Sequence, residues 1–230
     1  MKTVRSFIAL NIDVATVRSI AKWQRDFRAQ TDAAGLALQW VPPQNMHVTL
    51  RFLGPITEPM IALLKDRVSM LTRRLAPIDF SVQNLGFFPD ADQPRVLYAG
   101  IDDATTALQS LYRDISDVLS QTGFQAEERP YVPHVTVARL SPDAGAALQP
   151  MCDEQGDIRF GASTAKEVLC YASDLSARRA DYRLLWTLPL QGKPTAVAAD
   201  TDTDGNAPPT DPPVTTNNDN ASPTREEPSP

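Results

Sequence analysis

The sequence repeats one order of predicted elements twice, and each copy contains the rarest side chain of the protein in the same setting. Only two of the 230 residues are histidines, and both begin a His-Val-Thr stretch: His47 in NMHVTLRFLG and His134 in PHVTVARL. Apolar residues alternate around both histidines, which predicts strands, because successive side chains of a strand point to opposite faces. A duplicated unit of this kind limits the fold to two related halves, each with one histidine-bearing strand.

Periodicity in the rest of the chain predicts a β-α-β-α-β order in each half. The predicted helices are residues 14–30, 58–75, 105–122 and 143–152, and the predicted strands are residues 6–12, 46–53, 78–88, 95–101, 134–140, 158–163, 166–173 and 182–190. This order predicts the α+β class, with two lobes related by a pseudo-twofold axis at roughly 1–90 and 91–192. Each lobe is expected to be a mostly antiparallel sheet with flanking helices, and the two lobes are expected to enclose a central cleft.

The acidic charge of the chain is concentrated in its last stretch. From Lys193 onward there are seven carboxylates and two cations, a net charge of −5, which leaves −1 of the total of −6 for residues 1–192. Residues 193–230 are rich in Pro, Thr, Asp and Asn and contain no aromatic residue, which predicts a disordered tail. The nearly neutral remainder lacks the broad basic surface that long nucleic acids require, but it can still contain a local phosphate site.

The composition also restricts the location of the protein. No apolar run reaches the roughly 18 residues of a membrane span, and the apolar part of MKTVRSFIALNIDV is too short for a secretion signal. Cys152 and Cys170 have no C-x-x-C spacing, which is typical of free thiols in a reducing compartment. The sequence therefore predicts a cytoplasmic protein with no membrane partner, and a monomer is expected.

Strand alternation places His47 and Thr49 on one face and His134 and Thr136 on the matching face of the second copy. If these faces meet across a cleft, two imidazoles and two hydroxyls converge on one small volume. Imidazole gives and takes protons near neutral pH, so one ring can activate an attacking oxygen while the other protonates the leaving oxygen of a phosphoester. The hydroxyls can donate to the non-bridging oxygens. The residues alone leave open which histidine is the acid.

The two motifs and their surroundings resemble the 2H phosphoesterase superfamily and, within it, the RNA 2′,3′-cyclic phosphodiesterases of bacteria and archaea, also described as 2′-5′ RNA ligases. The resemblance covers about residues 4–190. Beyond the two H-x-T motifs, it rests on Trp40, the Asn45 to Gly54 run, Phe88-Pro89, the Arg95 to Gly100 run, Glu128-Arg129, the Pro133 to Arg139 run and Tyr182.

The resemblance implies a phosphoesterase domain over residues 1–192 that works without a metal or another cofactor. Its substrate would be an RNA or nucleotide with a 2′,3′-cyclic phosphate end, hydrolysed to a 2′-phosphomonoester, and the reverse reaction would join RNA ends through a 2′-5′ bond. By the same resemblance His47 is the proton donor, His134 is the proton acceptor, and Thr49 and Thr136 bind the phosphate.

Arg139 matches the H-x-T-x-x-R form of the second motif and is expected to contact substrate, although strict alternation places it on the face opposite to His134. Strict alternation also places Arg51 on the His47 face, and aromatic residues in strands, such as Phe52, are expected in the core.

Two other kinds of protein fit the sequence less well. A metal hydrolase is disfavoured, because neither motif contains a carboxylate and no H-E-x-x-H is present. A non-catalytic module that binds nucleotides or RNA ends in the same cleft is the alternative, and the presence of both histidines favours the enzyme.

Overall fold

The protein was analysed as a computed structural model, which describes residues 2–90, 93–141, 144–174 and 181–193. These residues belong to one compact unit, Met1–Thr195. The predicted tail at residues 193–230 lies, apart from Lys193, outside the described residues. Within the described ranges, no helix has the length and apolar character needed to cross a membrane.

The predicted helices and strands are all present, with their ends shifted. The helices are α1 Val14–Ala33, α2 Glu58–Thr72, α3 Ala107–Ser120 and α4 Gly145–Asp153. The strands are β1 Thr3–Leu10, β2 Gln39–Trp40, β3 Val48–Thr57, β4 Ile78–Phe88, β5 Val96–Asp102, β6 His134–Arg139, β7 Arg159–Ala165, β8 Glu167–Asp174 and β9 Asp181–Pro189. The short strand β2 and a 3-10 turn at Pro43–Asn45 were not predicted.

The strands form one antiparallel sheet in the order β7-β4-β5-β6-β3-β1-β8-β9, and β2 also pairs with β6. This confirms the predicted α+β class and the antiparallel pairing. The sheet has two halves, β7-β4-β5-β6 and β3-β1-β8-β9. They meet where β3 pairs with β6, and the register there consists of one pair, Val48 opposite Val135. The two histidine-bearing strands are therefore the central strands of the sheet.

The two halves of the sheet exchange strands. β4 comes from the first half of the sequence but pairs with β5 and β7, whereas β8 comes from the second half and pairs with β1. A division of the chain near residue 90 therefore does not separate the two halves of the sheet. Strand β4 of the first unit completes the half that contains β5, β6 and β7, and strands β8 and β9 of the second unit complete the half that contains β1 and β3.

Helix α1 also crosses to the other half. It follows β1 but packs against β6 and β7: the Trp23 ring lies 5.6 Å from the Phe160 ring of β7, and the Gln24 amide donates to the Val137 carbonyl of β6 at 2.9 Å. Helices α2 and α3 contact β3 on the other half of the sheet. Each large apolar side chain buried in this way contributes roughly 1.5–3 kcal/mol, so the exchange holds the two histidine strands together.

Candidate active site

Each histidine strand has a β-bulge at the third residue after its histidine, and β3 has a second register shift at Leu53. In β3 the register with β1 runs from Thr49 opposite Ala9 to Arg51 opposite Ile8, so Leu50 has no partner. In β6, Thr136 pairs with Tyr98 and Ala138 pairs with Leu97, so Val137 has no partner in β5. A bulge adds one residue to one strand and reverses which face the following side chains occupy. Simple alternation therefore fails beyond the threonine of each motif.

The first bulge reverses two predictions. Arg51 was expected on the His47 face, but its side chain is buried, with 5 % of its surface exposed. Phe52 was expected in the core, but 62 % of its surface is exposed and it lines the cleft. The extra residue moves Arg51 to the buried face and returns the next side chain to the cleft.

The second bulge resolves the difficulty with Arg139. Val137 and Ala138 are both buried, and Arg139 is exposed and lines the same cleft as His134 and Thr136. Arg139 is the fifth residue after His134, as Phe52 is the fifth residue after His47. The pseudo-twofold related strands thus present a cation at one position and an aromatic ring at the matching one.

The two motifs face the same cleft, whose volume is about 930 Å³. Because the valines between each histidine and threonine are directly opposite one another, antiparallel pairing places His47 beside Thr136 and Thr49 beside His134. Each imidazole is therefore next to the hydroxyl of the other motif. This arrangement brings the two imidazoles and the two hydroxyls to one cleft, as predicted.

The His47 ring is fixed by a carbonyl and by aromatic neighbours. Its Nδ1 lies 2.7 Å from the Asn45 carbonyl oxygen, and since a carbonyl only accepts, Nδ1 carries the proton of the neutral ring. Nε2 is left as an acceptor 3.1 Å from the Thr49 hydroxyl. Phe7 stacks on the ring at 4.8 Å, and Tyr182 approaches it edge-on at 5.4 Å. The nitrogen of the neutral His47 ring that can accept a proton is therefore Nε2.

His134 has matching surroundings. Its Nδ1 donates to the Val132 carbonyl oxygen at 2.8 Å, which leaves Nε2 as the acceptor. The rings of Phe88 and Tyr98 lie 4.8 and 5.3 Å from the imidazole. A Cβ at Gly86 would overlap the Tyr98 ring, so this position needs glycine for Tyr98 to lie where it does.

The pKa of each histidine is lowered in the unliganded protein. Burial lowers the pKa of His47 from 6.5 to about 4, and the charges of His134 and Arg139 act in the same direction, opposed by the hydrogen bond to Asn45. Burial also lowers the pKa of His134, opposed by the hydrogen bond to Val132. Both rings are therefore mostly neutral at pH 7, and a negative charge in the cleft would favour the protonated form of either ring.

These pKa shifts predict a pH-dependent stability. Between pH 6.5 and about 4 the unfolded chain protonates His47 while the native protein does not, so the free energy of unfolding falls as the pH falls through this window. The variant His47→Asn lacks this contribution. We expect the stability of the wild type relative to the variant to decrease from about pH 7 to about pH 4.5. Urea unfolding of both proteins measures it, and a difference that stays constant over the window would refute it.

Arg51 connects β3 to the segment that precedes β6, from the buried side of the sheet. Its Nη2 donates to the Gln125 carbonyl, and its Nε lies 3.4 Å from the Glu127 carboxylate. Glu127 also accepts a hydrogen bond from the Tyr112 hydroxyl at 3.4 Å. Gln125 and Glu127 belong to the segment that leads into the His134 strand. Arg51 is thus a structural contact between β3 and that segment.

The donor set of the cleft suits acid–base chemistry. Two imidazoles, two hydroxyls and Arg139 line it. In the part of the chain that the structure describes, no three His, Cys, Asp or Glu side chains are grouped as metal ligands would be. Sequence reasoning missed Phe52 as a cleft residue and the contributions of β1 and α1 to the lining. The bulges could not be read from the sequence, because they depend on which residues of β1 and β5 lie opposite.

The facing His-x-Thr strands on an antiparallel sheet define a phosphoesterase type of site. The chain belongs to the LigT-like phosphoesterase family: the model described as LigT like Phosphoesterase matches residues 12–98 and 100–180. This confirms the resemblance inferred from the paired motifs.

Named relatives agree with this assignment. The chain is 27% identical to the RNA 2′,3′-cyclic phosphodiesterase of Aquifex aeolicus over 77% of this chain and 92% of the relative. It is 31% identical to that of Thermotoga maritima over 60% of this chain and 70% of the relative.

Solved structures share the fold. A crystal structure of a Thermus thermophilus protein matches with a TM-score of 0.68 and 21% identity, covering 82% of this chain and 99% of that one. Escherichia coli LigT complexed with 3′-AMP matches with a TM-score of 0.64, the same identity and the same coverage.

Proposed function

We propose that this protein hydrolyses the 2′,3′-cyclic phosphate end of an RNA or nucleotide to a 2′-phosphomonoester. The observation that carries the proposal is the pair of His-x-Thr motifs on adjacent central strands, with both Nε2 atoms available as acceptors. The names of the relatives support this choice of phosphoester.

The proposed reaction is an in-line displacement at phosphorus. His134 Nε2 takes a proton from water as the water oxygen bonds to phosphorus. The bond from phosphorus to the ribose 3′ oxygen breaks, and that oxygen keeps the electron pair and takes a proton from His47 Nε2. The products are a 2′-phosphomonoester and a 3′ hydroxyl, and the two histidines have exchanged protonation states. Positioned acid–base groups of this kind each contribute roughly 10²–10⁴-fold.

The other cleft residues are proposed to bind the phosphate and the nucleotide of the substrate. The Thr136 hydroxyl has no hydrogen-bond partner among the described residues, so it is free to donate to a non-bridging oxygen. Thr49 becomes a donor in the same way once His47 Nε2 is protonated. The Arg139 guanidinium offsets the phosphate charge, and the exposed Phe52 ring offers a flat surface to the nucleotide.

Substrate binding is proposed to set the protonation state that the reaction needs. The pKa of His47 is about 4 in the empty cleft, and a phosphate anion beside the ring raises it. Burial, in turn, keeps His134 neutral and ready to accept a proton. The same anion raises the pKa of both rings, so the assignment of His47 as the acid and His134 as the base rests on the resemblance.

We propose that no metal ion takes part, because the leaving oxygen receives a proton directly and needs no Lewis acid. With a nucleotide 5′ hydroxyl in place of water, the reverse path would join RNA ends through a 2′-5′ bond. The cytoplasmic location and the monomeric state stay predictions.

The proposal is tested with nucleoside 2′,3′-cyclic phosphates and phosphorus NMR. We expect the cyclic ester signal to be replaced by that of the 2′-phosphomonoester alone, with the same rate in the presence of EDTA. A 3′-phosphomonoester product would show that the leaving oxygen is assigned wrongly. A rate that EDTA abolishes and zinc restores would replace the proposed mechanism with metal-assisted hydrolysis.

The same assay tests the non-catalytic alternative. A binding module would hold the cyclic ester without consuming it, and the cyclic phosphate signal would persist at full protein saturation. The double variant His47→Ala/His134→Ala is the matched control, because it removes both imidazoles from the cleft.

A further inference from the structure

The cleft is positively charged in a chain that is acidic overall. Among the described residues, four arginines and no Asp or Glu line it, although the net charge of the protein is −6. A cleft lined by one sign of charge concentrates ligands of the opposite sign. One phosphate beside Arg139 accounts for only part of this charge.

Two of the four arginines belong to a single face of α1. Ala21, Gln24, Arg25 and Arg28 all line the cleft, and their spacings of three and four residues place them on one side of a helix. Arg25 and Arg28 are both exposed. This side of α1 therefore forms a wall of the cleft and presents two guanidinium groups to it.

This wall is held against the second catalytic strand. Gln24 is buried, and its amide donates to the carbonyl of Val137 at 2.9 Å and to that of Val41 at 3.2 Å. Val137 is the bulge residue between Thr136 and the Arg139 end of β6. The position of the two arginines is thus fixed relative to His134, and Gln39, opposite Arg139 in the β2–β6 pair, lines the cleft as well.

Neither guanidinium is committed elsewhere in the described structure. Arg25 has no ion pair or hydrogen bond to any described residue. Arg28 pairs with Asp32 at 3.4 Å, but both side chains are more than half exposed, and such a pair within one helix contributes only about 0.3–0.5 kcal/mol. Both groups are therefore free to bind an anion.

We propose that Arg25 and Arg28 form a second phosphate site, which binds the phosphodiester on the 5′ side of the terminal nucleotide. This inference rests on the proposed function: a 2′,3′-cyclic phosphate closes the 3′ end, so the chain can continue only from the 5′ oxygen. The preferred substrate is then a single-stranded RNA end of two or more nucleotides rather than a cyclic mononucleotide.

The test compares a 2′,3′-cyclic mononucleotide with oligoribonucleotides of increasing length that end in the same cyclic nucleotide. For the wild type we expect kcat/KM to rise at least about tenfold when the first 5′ phosphodiester is added. In Arg25→Ala/Arg28→Ala most of this gain should disappear through KM, while turnover of the mononucleotide is unchanged. The slope of log kcat/KM against log salt concentration on the oligonucleotide should weaken by about 0.7 for each phosphate that the variant no longer neutralises.

Arg18→Ala/Lys22→Ala is the matched control, because it removes two exposed cations of α1 that do not line the cleft. It should keep the full length dependence. Equal kcat/KM for the mononucleotide and the oligonucleotides in the wild type, or an equal loss in both double variants, would overturn the second phosphate site and leave the proposed function intact.

Failure of the proposed function gives a different result, namely no turnover of any cyclic phosphate. In that case anisotropy of a labelled oligoribonucleotide measures the second site directly. Binding that Arg25→Ala/Arg28→Ala weakens and the control variant retains would support the site, and equal binding by both variants would overturn it.

Discussion

Replacing either histidine with alanine should lower kcat on a 2′,3′-cyclic phosphate by roughly 10²–10⁴-fold, the contribution of one positioned acid or base. The fold should survive, because neither ring is fully buried. The main structural loss in His47→Ala is the contact with Phe7, and aromatic pairs of this kind contribute about 0.5–1.5 kcal/mol. Steady-state kinetics and urea unfolding of both variants measure the two effects.

The same variants can separate the acid from the base. In a substrate with sulfur in place of the 3′ oxygen, the leaving group departs without needing a proton. This analogue should restore much of the activity of His47→Ala and little of that of His134→Ala. The opposite pattern would exchange the two roles, and residual activity above a few per cent in either variant on the natural ester would exclude an essential acid–base pair.

Replacing the threonines with valine should have the next largest effect. Valine keeps the shape and strand preference of threonine but lacks the hydroxyl, and removal of one donor to a developing charge costs roughly 10²–10³-fold in kcat. Thr136→Val should lower kcat alone, since its hydroxyl has no partner among the described residues. Thr49→Val should also alter the pH dependence, because Thr49 is hydrogen-bonded to His47 Nε2.

Serine variants provide the control for this prediction. Thr49→Ser and Thr136→Ser keep the hydroxyl and should retain activity within about tenfold, as loss of the methyl group affects only local packing. If the valine variants were as active as the serine variants, the hydroxyls would have no part in binding the phosphate, and the threonines would be present for strand formation.

Most of the fold could be predicted from the sequence because it depends on local periodicity. The stripe that includes Ile20, Trp23 and Phe27 predicted α1, and all three side chains are buried. The two His-x-Thr motifs were predicted to face one cleft, and both line it. These features follow from residues close together in the chain.

The remainder depends on contacts between distant residues. The faces of Arg51, Phe52 and Arg139 were decided by bulges, which arise from the pairing of β3 with β1 and of β6 with β5. The arginines of α1 could not be assigned to the cleft, because α1 packs on the half of the sheet to which its own preceding strand does not belong. Local patterns contain no information about such an exchange.

The matched bulges give both strands the same spacing, in which the side chains at positions 0, +2 and +5 from the histidine line the cleft. Positions 0 and +2 are identical in the two copies, whereas +5 is Phe52 in one and Arg139 in the other. If the two strands carried the same residue at all three positions, they would bind a substrate equally well in two orientations related by the pseudo-twofold axis. The difference at +5 removes this equivalence, because an aromatic ring suits a base and a guanidinium suits a phosphate.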